Sequence, residues 1–145
     1  MSEPQRANQV ICVFCDVVSG DLEAEVVFED DGFLAFLDHR PVQKGHILMV
    51  PRLHLPTLLD LPPELHGRFV VNAQRMAAAV VDGLGAQGSF VAVNNVVSQS
   101  VPHLHVHVVP RSRGDGLKGF FWPRTRYGDA EDASRYASRL RAVLE

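Results

Sequence analysis

The sequence predicts an α+β domain: a mainly antiparallel sheet with one long central helix and a second helix at the C-terminal end. Three observations carry that expectation. Short β-prone runs recur between turn residues, residues 63–83 hold a sustained helical periodicity, and a second helical stretch follows the last β-prone run. A length of 145 residues fits one domain spanning 1–145, large enough to bury a core, with 1–10 as a flexible N-terminus.

Along the chain, residues 12–19 (CVFCDVVS) read as a short helix ended by Gly20. Val26-Val27-Phe28 and Phe33–Leu37 flank the turn signal Asp30-Asp31-Gly32 and suggest a hairpin. Pro41 and Gly45 bracket a connection to a strand over His46–Val50, which Pro51 stops. Pro62-Pro63-Glu64 opens the long helix, and Leu65, Phe69, Ala73, Met76 and Val80 form its apolar stripe, read as core packing. Gly83 and Gly85 end it. Phe90–Val93 is a further strand, His103–Val109 another stopped by Pro110, and a helix from about Asp129 to Leu144 closes the order.

An apolar content of 46% with 21% charged residues is ordinary for a globular chain. No apolar run approaches the roughly 20 residues of a membrane span, and the polar N-terminus does not read as a secretory signal, so a cytoplasmic protein without a membrane partner is expected. A net charge of −3 and the scattered Arg111, Arg113, Lys118, Arg124 and Arg126 do not make a nucleic-acid groove, although they would suit a small phosphate ligand. The two cysteines, Cys12 and Cys15 in Cys-Val-Phe-Cys, leave three readings open: half a zinc site, a redox pair, or two unremarkable thiols.

The most informative segment is His103-Leu104-His105-Val106-His107-Val108-Val109. Alternation along a strand puts His103, His105 and His107 on one face, spaced about 7 Å apart, with Leu104, Val106 and Val108 on the other. Three histidines at alternate positions admit a solvated strand face, a catalytic metal centre, or nucleophilic catalysis on phosphorus. A neutral imidazole is a competent nucleophile near pH 7, and neighbouring imidazoles can hold its tautomer or move a proton.

HLHVHVV resembles the His-φ-His-φ-His-φ-φ motif (φ, apolar) of the histidine triad (HIT) family. So do Gln99-Ser100-Val101-Pro102 before it and Pro110-Arg111 after it. Upstream, Cys12–Cys15, Phe36-Leu37-Asp38, Lys44-Gly45-His46 and Val50-Pro51-Arg52-Leu53-His54 are similar to family segments, so the resemblance covers about residues 12–125 and points to the bacterial Hit/Hint-like branch. It implies a HIT-like fold and an enzyme, a hydrolase or nucleotidyl transferase, that cleaves a nucleoside 5′-phosphate derivative, either a phosphoramidate or a dinucleoside polyphosphate. His105 would be the nucleophile. His107 would contact the phosphate or relay a proton, and His46 would orient or protonate the triad. Asp38 would bind ribose, while Asn94, Gln99 and Ser100 would hold the phosphate. Phe14, Val27 and Phe36 would sandwich a purine. The resemblance further implies a structural zinc ion on Cys12, Cys15, His54 and His103, no organic cofactor, and a homodimer to which helix 63–83 contributes. A zinc-stabilised nucleotide binder with little catalysis, acting through a partner, is the competing expectation.

The chain departs from the family in its phosphate loop, Asn94-Asn95-Val96-Val97-Ser98-Gln99, which is short and has Ser98 where relatives carry glycine. Serine resists backbone conformations that glycine permits, so a differently shaped loop is expected.

Overall fold

A computed structural model describes residues 11–118 and 123–144. It divides into a larger unit ending at Asp115 and a smaller one beginning at Gly116. The larger unit contains helix α1 (Val13–Ser19), strands β1 (Val26–Glu29), β2 (Phe33–Leu37) and β3 (Ile47–Pro51), helix α2 (Pro63–Leu84), and strands β4 (Gly88–Val93) and β5 (Val106–Arg111). The smaller unit contains helix α3 (Ala130–Leu144), whose first turn is capped by the Asp129 carboxylate accepting from the Asp132 amide at 2.7 Å.

The five strands form one sheet in the order β1-β2-β3-β5-β4, each neighbouring pair antiparallel. The β1–β2 hairpin is shaped by Asp30, whose Oδ1 accepts the amides of Gly32 and Phe33 at 2.8 and 2.7 Å. β2 and β3 are apolar on both faces, and alternation sorts their side chains into two cores. Phe33, Ala35, Ile47 and Met49 pack with Val106 and Val108 of β5 against Met76 and Val80 of α2. Leu34, Phe36, Leu48 and Val50 pack on the opposite face with Cys12, Phe14 and Val17. Burying a side chain of that size contributes about 2 kcal/mol, so the two faces fix the register of β2 against β3 firmly. α2 keeps the expected stripe, but Gly83 lies inside it and only Gly85, at φ +72°, forms the left-handed cap.

The expected strand over His103–Val109 needs correction. The central strand is β3, with β5 one position from the edge. β5 begins at Val106, so of the three histidines only His107 lies within it, and the strand continues through Pro110 to Arg111. His103 is diverted from the ladder because its amide donates to the Val101 carbonyl, and Leu104 pairs instead with the Leu55 carbonyl. Pro110 is tolerated because the ladder runs past it opposite Ser89 of the edge strand β4.

Candidate active site

The segment from His103 to His107 crosses the α1 side of the sheet and feeds two adjoining clusters. In the first, Cys12, Cys15, His54 and His103 bring four ligand atoms within 4.8 Å of one another. Cys12 caps the start of α1, its Sγ accepting the Cys15 amide at 3.3 Å, which turns both thiols to one side. Cys12 Sγ lies 3.4 Å from His103 Nδ1, and Cys15 Sγ lies 3.3 Å from His54 Nδ1 and 3.5 Å from His103 Nδ1. Bond lengths of about 2.0–2.3 Å around a tetrahedral cation separate neighbouring donors by about 3.3–3.8 Å, so this spacing fits zinc. His103 is fully buried, and its Nε2–H donates to the Pro51 carbonyl at 2.8 Å, leaving the Nδ1 lone pair aimed at the sulfurs. Burial, then the neighbouring Cys12 thiol, pushes the Cys15 thiol up to about 11. A thiol that resists ionisation is a poor redox nucleophile, whereas a cation in this cluster would stabilise both thiolates.

The second cluster opens on a cleft of about 1090 Å³. Phe14, Val17, Leu22 and Phe36 form its apolar part, Asp38 and His39 one flank, and Ser100, His105 and His107 another. The His105 Nδ1–H donates to the His103 carbonyl at 2.7 Å, so the Nε2 lone pair is the free one, and the ring is braced edge-on by Phe14 at 4.9 Å between centroids. Burial holds the His105 pKa below its usual value and keeps that lone pair unprotonated at neutral pH. Behind it, the Val42 amide donates to His46 Nδ1 at 3.1 Å. A neutral His46 must then carry its proton on Nε2, which donates to His107 Nδ1 at 3.0 Å. His107 is left with an N–H at Nε2. Burial, with His105 and His46 beside it, pushes the His107 pKa down to about 4. Asp38, His46 and His107 also meet the spacing for a cation, but the amide on His46 Nδ1 occupies a lone pair that binding would need, so the trio reads as a hydrogen-bonded relay.

A family model described as HIT domain matches residues 19–114. The chain belongs to the HIT-domain family. This HIT-domain protein is 38% identical over 108 residues to an uncharacterised HIT-like protein of Methanocaldococcus jannaschii, covering 73% of this chain and 83% of that one. It is 34% identical over 108 residues to an adenylylsulfatase of Arabidopsis thaliana, covering 73% of this chain and 55% of that one. A crystal structure of a zinc-bound histidine triad family protein from Mycobacterium smegmatis superposes with a TM-score of 0.69 at 40% identity, covering 92% of this chain and 97% of that one.

The HIT-domain protein thus gathers His105, His107, Asp38 and Ser100 at the cleft, His46 behind His107, and Cys12, Cys15, His54 and His103 beside them. Asn94 and Gln99 do not line the cleft. The Gln99 side chain instead braces its own loop, accepting the Val96 amide at 2.9 Å and donating to the Pro56 carbonyl at 2.7 Å. That loop has the unusual shape its composition suggested: Ser98 adopts φ +61° and Val96 φ +70°, both left-handed. Val27 is absent from the cleft wall, because a bulge between Val26 and Phe28 breaks the pairing there. Sequence reasoning missed Val42, whose contribution is a backbone amide and leaves no side-chain signal. Leu22, Glu23 and Glu25 were missed too, since the segment before β1 carries no motif. Among the described residues, no helix is long and apolar enough to cross a membrane.

Proposed function

We propose that this HIT-domain protein hydrolyses a purine nucleoside 5′-phosphate derivative, or transfers its nucleotidyl group, through a covalent intermediate on His105. The observation that carries the reading is the locked ring of His105: Nδ1 is committed to the His103 carbonyl at 2.7 Å, and Nε2 faces the cleft. The Nε2 lone pair attacks the α-phosphorus. The bond from phosphorus to the leaving group breaks, and its electron pair departs with the leaving atom. Water then attacks the nucleotidyl-imidazole, gives up a proton through the His46–His107 pair to solvent, returns the electron pair to Nε2 and releases the nucleoside monophosphate. The His107 Nε2–H donates to a phosphoryl oxygen or the leaving atom. A bound phosphate brings the negative charge that lets the His46–His107 pair take up the proton a poor leaving group needs.

The charge lining the cleft favours a phosphoramidate over a polyphosphate. Glu23, Glu25 and Asp38 are its acidic residues, and among the described lining residues there is no lysine or arginine to neutralise a polyphosphate chain. Phe14, Leu22 and Phe36 offer an apolar wall for a purine, and Asp38 is placed to accept ribose hydroxyls.

Cys12, Cys15, His54 and His103 would hold a structural zinc ion, closed to substrate by four protein ligands. There it would supply a brace between the start of α1 and the backbone carbonyl that orients His105. Exposed Val70, Val71 and Leu84 on α2 suit a homodimer, which sedimentation equilibrium would test.

Incubation with adenosine 5′-phosphoramidate, followed by quenching and peptide mass spectrometry, tests the mechanism. AMP release together with adenylyl label on His105, stable in base and lost in acid, supports it. AMP binding with neither turnover nor label overturns it in favour of a non-catalytic binder.

A further inference from the structure

The His46–His107 pair has two possible polarities, and the loop between Asp38 and His46 selects one. His46 Nδ1 has two suitors: the Val42 amide, a donor at 3.1 Å, and Asp38 Oδ2, an acceptor at 3.7 Å. With the amide engaged, the pair runs Val42 N–H to His46, His46 Nε2–H to His107, and His107 shows an N–H to the cleft. With Asp38 engaged instead, His46 carries its proton on Nδ1, both partners reverse, and His107 shows a lone pair. A lone pair there repels phosphoryl oxygens, whereas an N–H attracts them.

Three contacts hold the loop in the first state. The Arg40 amide donates to Asp38 Oδ1 at 2.9 Å and so engages one oxygen of the carboxylate whose other oxygen lies 3.7 Å from His46 Nδ1. The Gln43 carbonyl accepts the His46 amide at 3.0 Å, and Gln43 Nε2 donates to the Asp115 carbonyl at 2.9 Å. The Asp115 carboxylate in turn pairs with Arg111 at the end of β5, the strand that carries His107. Gly45, at φ +94°, lets the loop close where an added Cβ would strike the Leu84 side chain.

We propose that Gln43 is a positioning residue that anchors the Val42 amide on His46 and so sets the polarity of the relay, making His107 a donor toward the phosphoryl group. The catalytic consequence rests on the function proposed above; the tautomer does not. Long-range 1H–15N correlation spectra of the full-length protein, labelled with 15N-histidine, read the tautomers directly. The wild type shows His46 and His107 both protonated on Nε2, and a wild-type His46 protonated on Nδ1 overturns the proposal outright. In Gln43→Ala the His46 signal shifts toward the Nδ1–H form, and kcat on adenosine 5′-phosphoramidate falls by about tenfold or more while KM stays within about twofold. Gln43→Lys keeps a donor within reach of the Asp115 carbonyl and restores both readouts. A Gln43→Ala protein that loses thermal stability but keeps the wild-type tautomer and kcat shows a mere loop anchor and overturns the proposal. Wild-type protein with the Nε2–H tautomers but no turnover sinks the proposed function and leaves the positioning role standing.

Discussion

His103 and His105 stand two residues apart and use opposite nitrogens. His103 gives its Nε2–H to the Pro51 carbonyl and turns Nδ1 toward two sulfurs, while His105 gives its Nδ1–H to the His103 carbonyl and turns Nε2 toward a cleft. Both rings are buried, and burial lowers the pKa of both. The residue type and the burial are therefore shared, and the role is decided by which nitrogen a backbone carbonyl occupies and by what faces the other. One imidazole is aimed into a closed four-donor cluster and the other into open space, so the first is suited to hold and the second to attack.

The widest separation between the two comes from removing each ring's free nitrogen. His105→Asn keeps a polar side chain of similar reach but no nucleophile, and turnover should fall by at least about 10⁴-fold with nucleotide affinity nearly unchanged. Single-turnover kinetics with calorimetric AMP binding measures both, and comparable turnover in the variant would remove His105 from the mechanism. On the other side, Cys15→Ser or exhaustive chelation should release one equivalent of zinc and lower stability by about 3 kcal/mol or more, a Tm loss of about 6–12 °C. Activity should fall only as the fold loosens, because the cluster has no place for substrate. Inactivation by chelator with an unchanged melting curve would reverse that assignment.

A pH titration reads the open cluster through its most strongly shifted ring. His107 titrates near 4 in the folded protein and about 6.5 when unfolded, so the unfolded chain binds the proton more tightly. Its effect on stability is absent above about pH 6.5 and grows as pH falls toward 4, reaching at most about 3 kcal/mol there. Burial lowers the pKa values of His46, His103 and His105 as well, so they add in the same direction. Urea unfolding from pH 8 to pH 4 should show this decline, and His107→Gln should flatten it. An unchanged slope in that variant would place the buried protonation elsewhere.

Much of this was legible in residue order, and the failures have a common cause. The helix over 63–83, the hairpin around Asp30 and the helix from Asp129 came from periodicity and turn chemistry, which are local. The cluster of Cys12, Cys15, His54 and His103 was legible from the family resemblance although its members lie up to 91 positions apart. What sequence could not show is where backbone groups point. The strand was expected to begin at His103, yet the His103 amide turns to Val101 and delays β5 to Val106. That same diversion places the His103 carbonyl under His105. Likewise, the Val42 amide on His46 and the bulge that takes Val27 out of the cleft wall depend on loop paths that no side-chain pattern encodes.

The smallest expected effect lies in the loop that joins β4 to the histidine segment. Val96 is a β-branched residue at φ +70°, a conformation that costs an L side chain about 1–2 kcal/mol, and its side chain is 75% exposed, so little packing repays it. The Gln99 side chain holds the turn through the Val96 amide, a contact that survives any non-proline substitution. Val96→Gly removes the steric cost but gives the unfolded chain more freedom, about 0.5–1 kcal/mol, leaving a net gain of about 0.5–1 kcal/mol. Differential scanning calorimetry should therefore record a Tm higher by about 1–4 °C, and Ser98→Gly a smaller rise because serine is not β-branched. A lower Tm in Val96→Gly would mean that the valine side chain is covered in the assembled protein. The loop beside the open cluster would then be part of an interface rather than a strained connection.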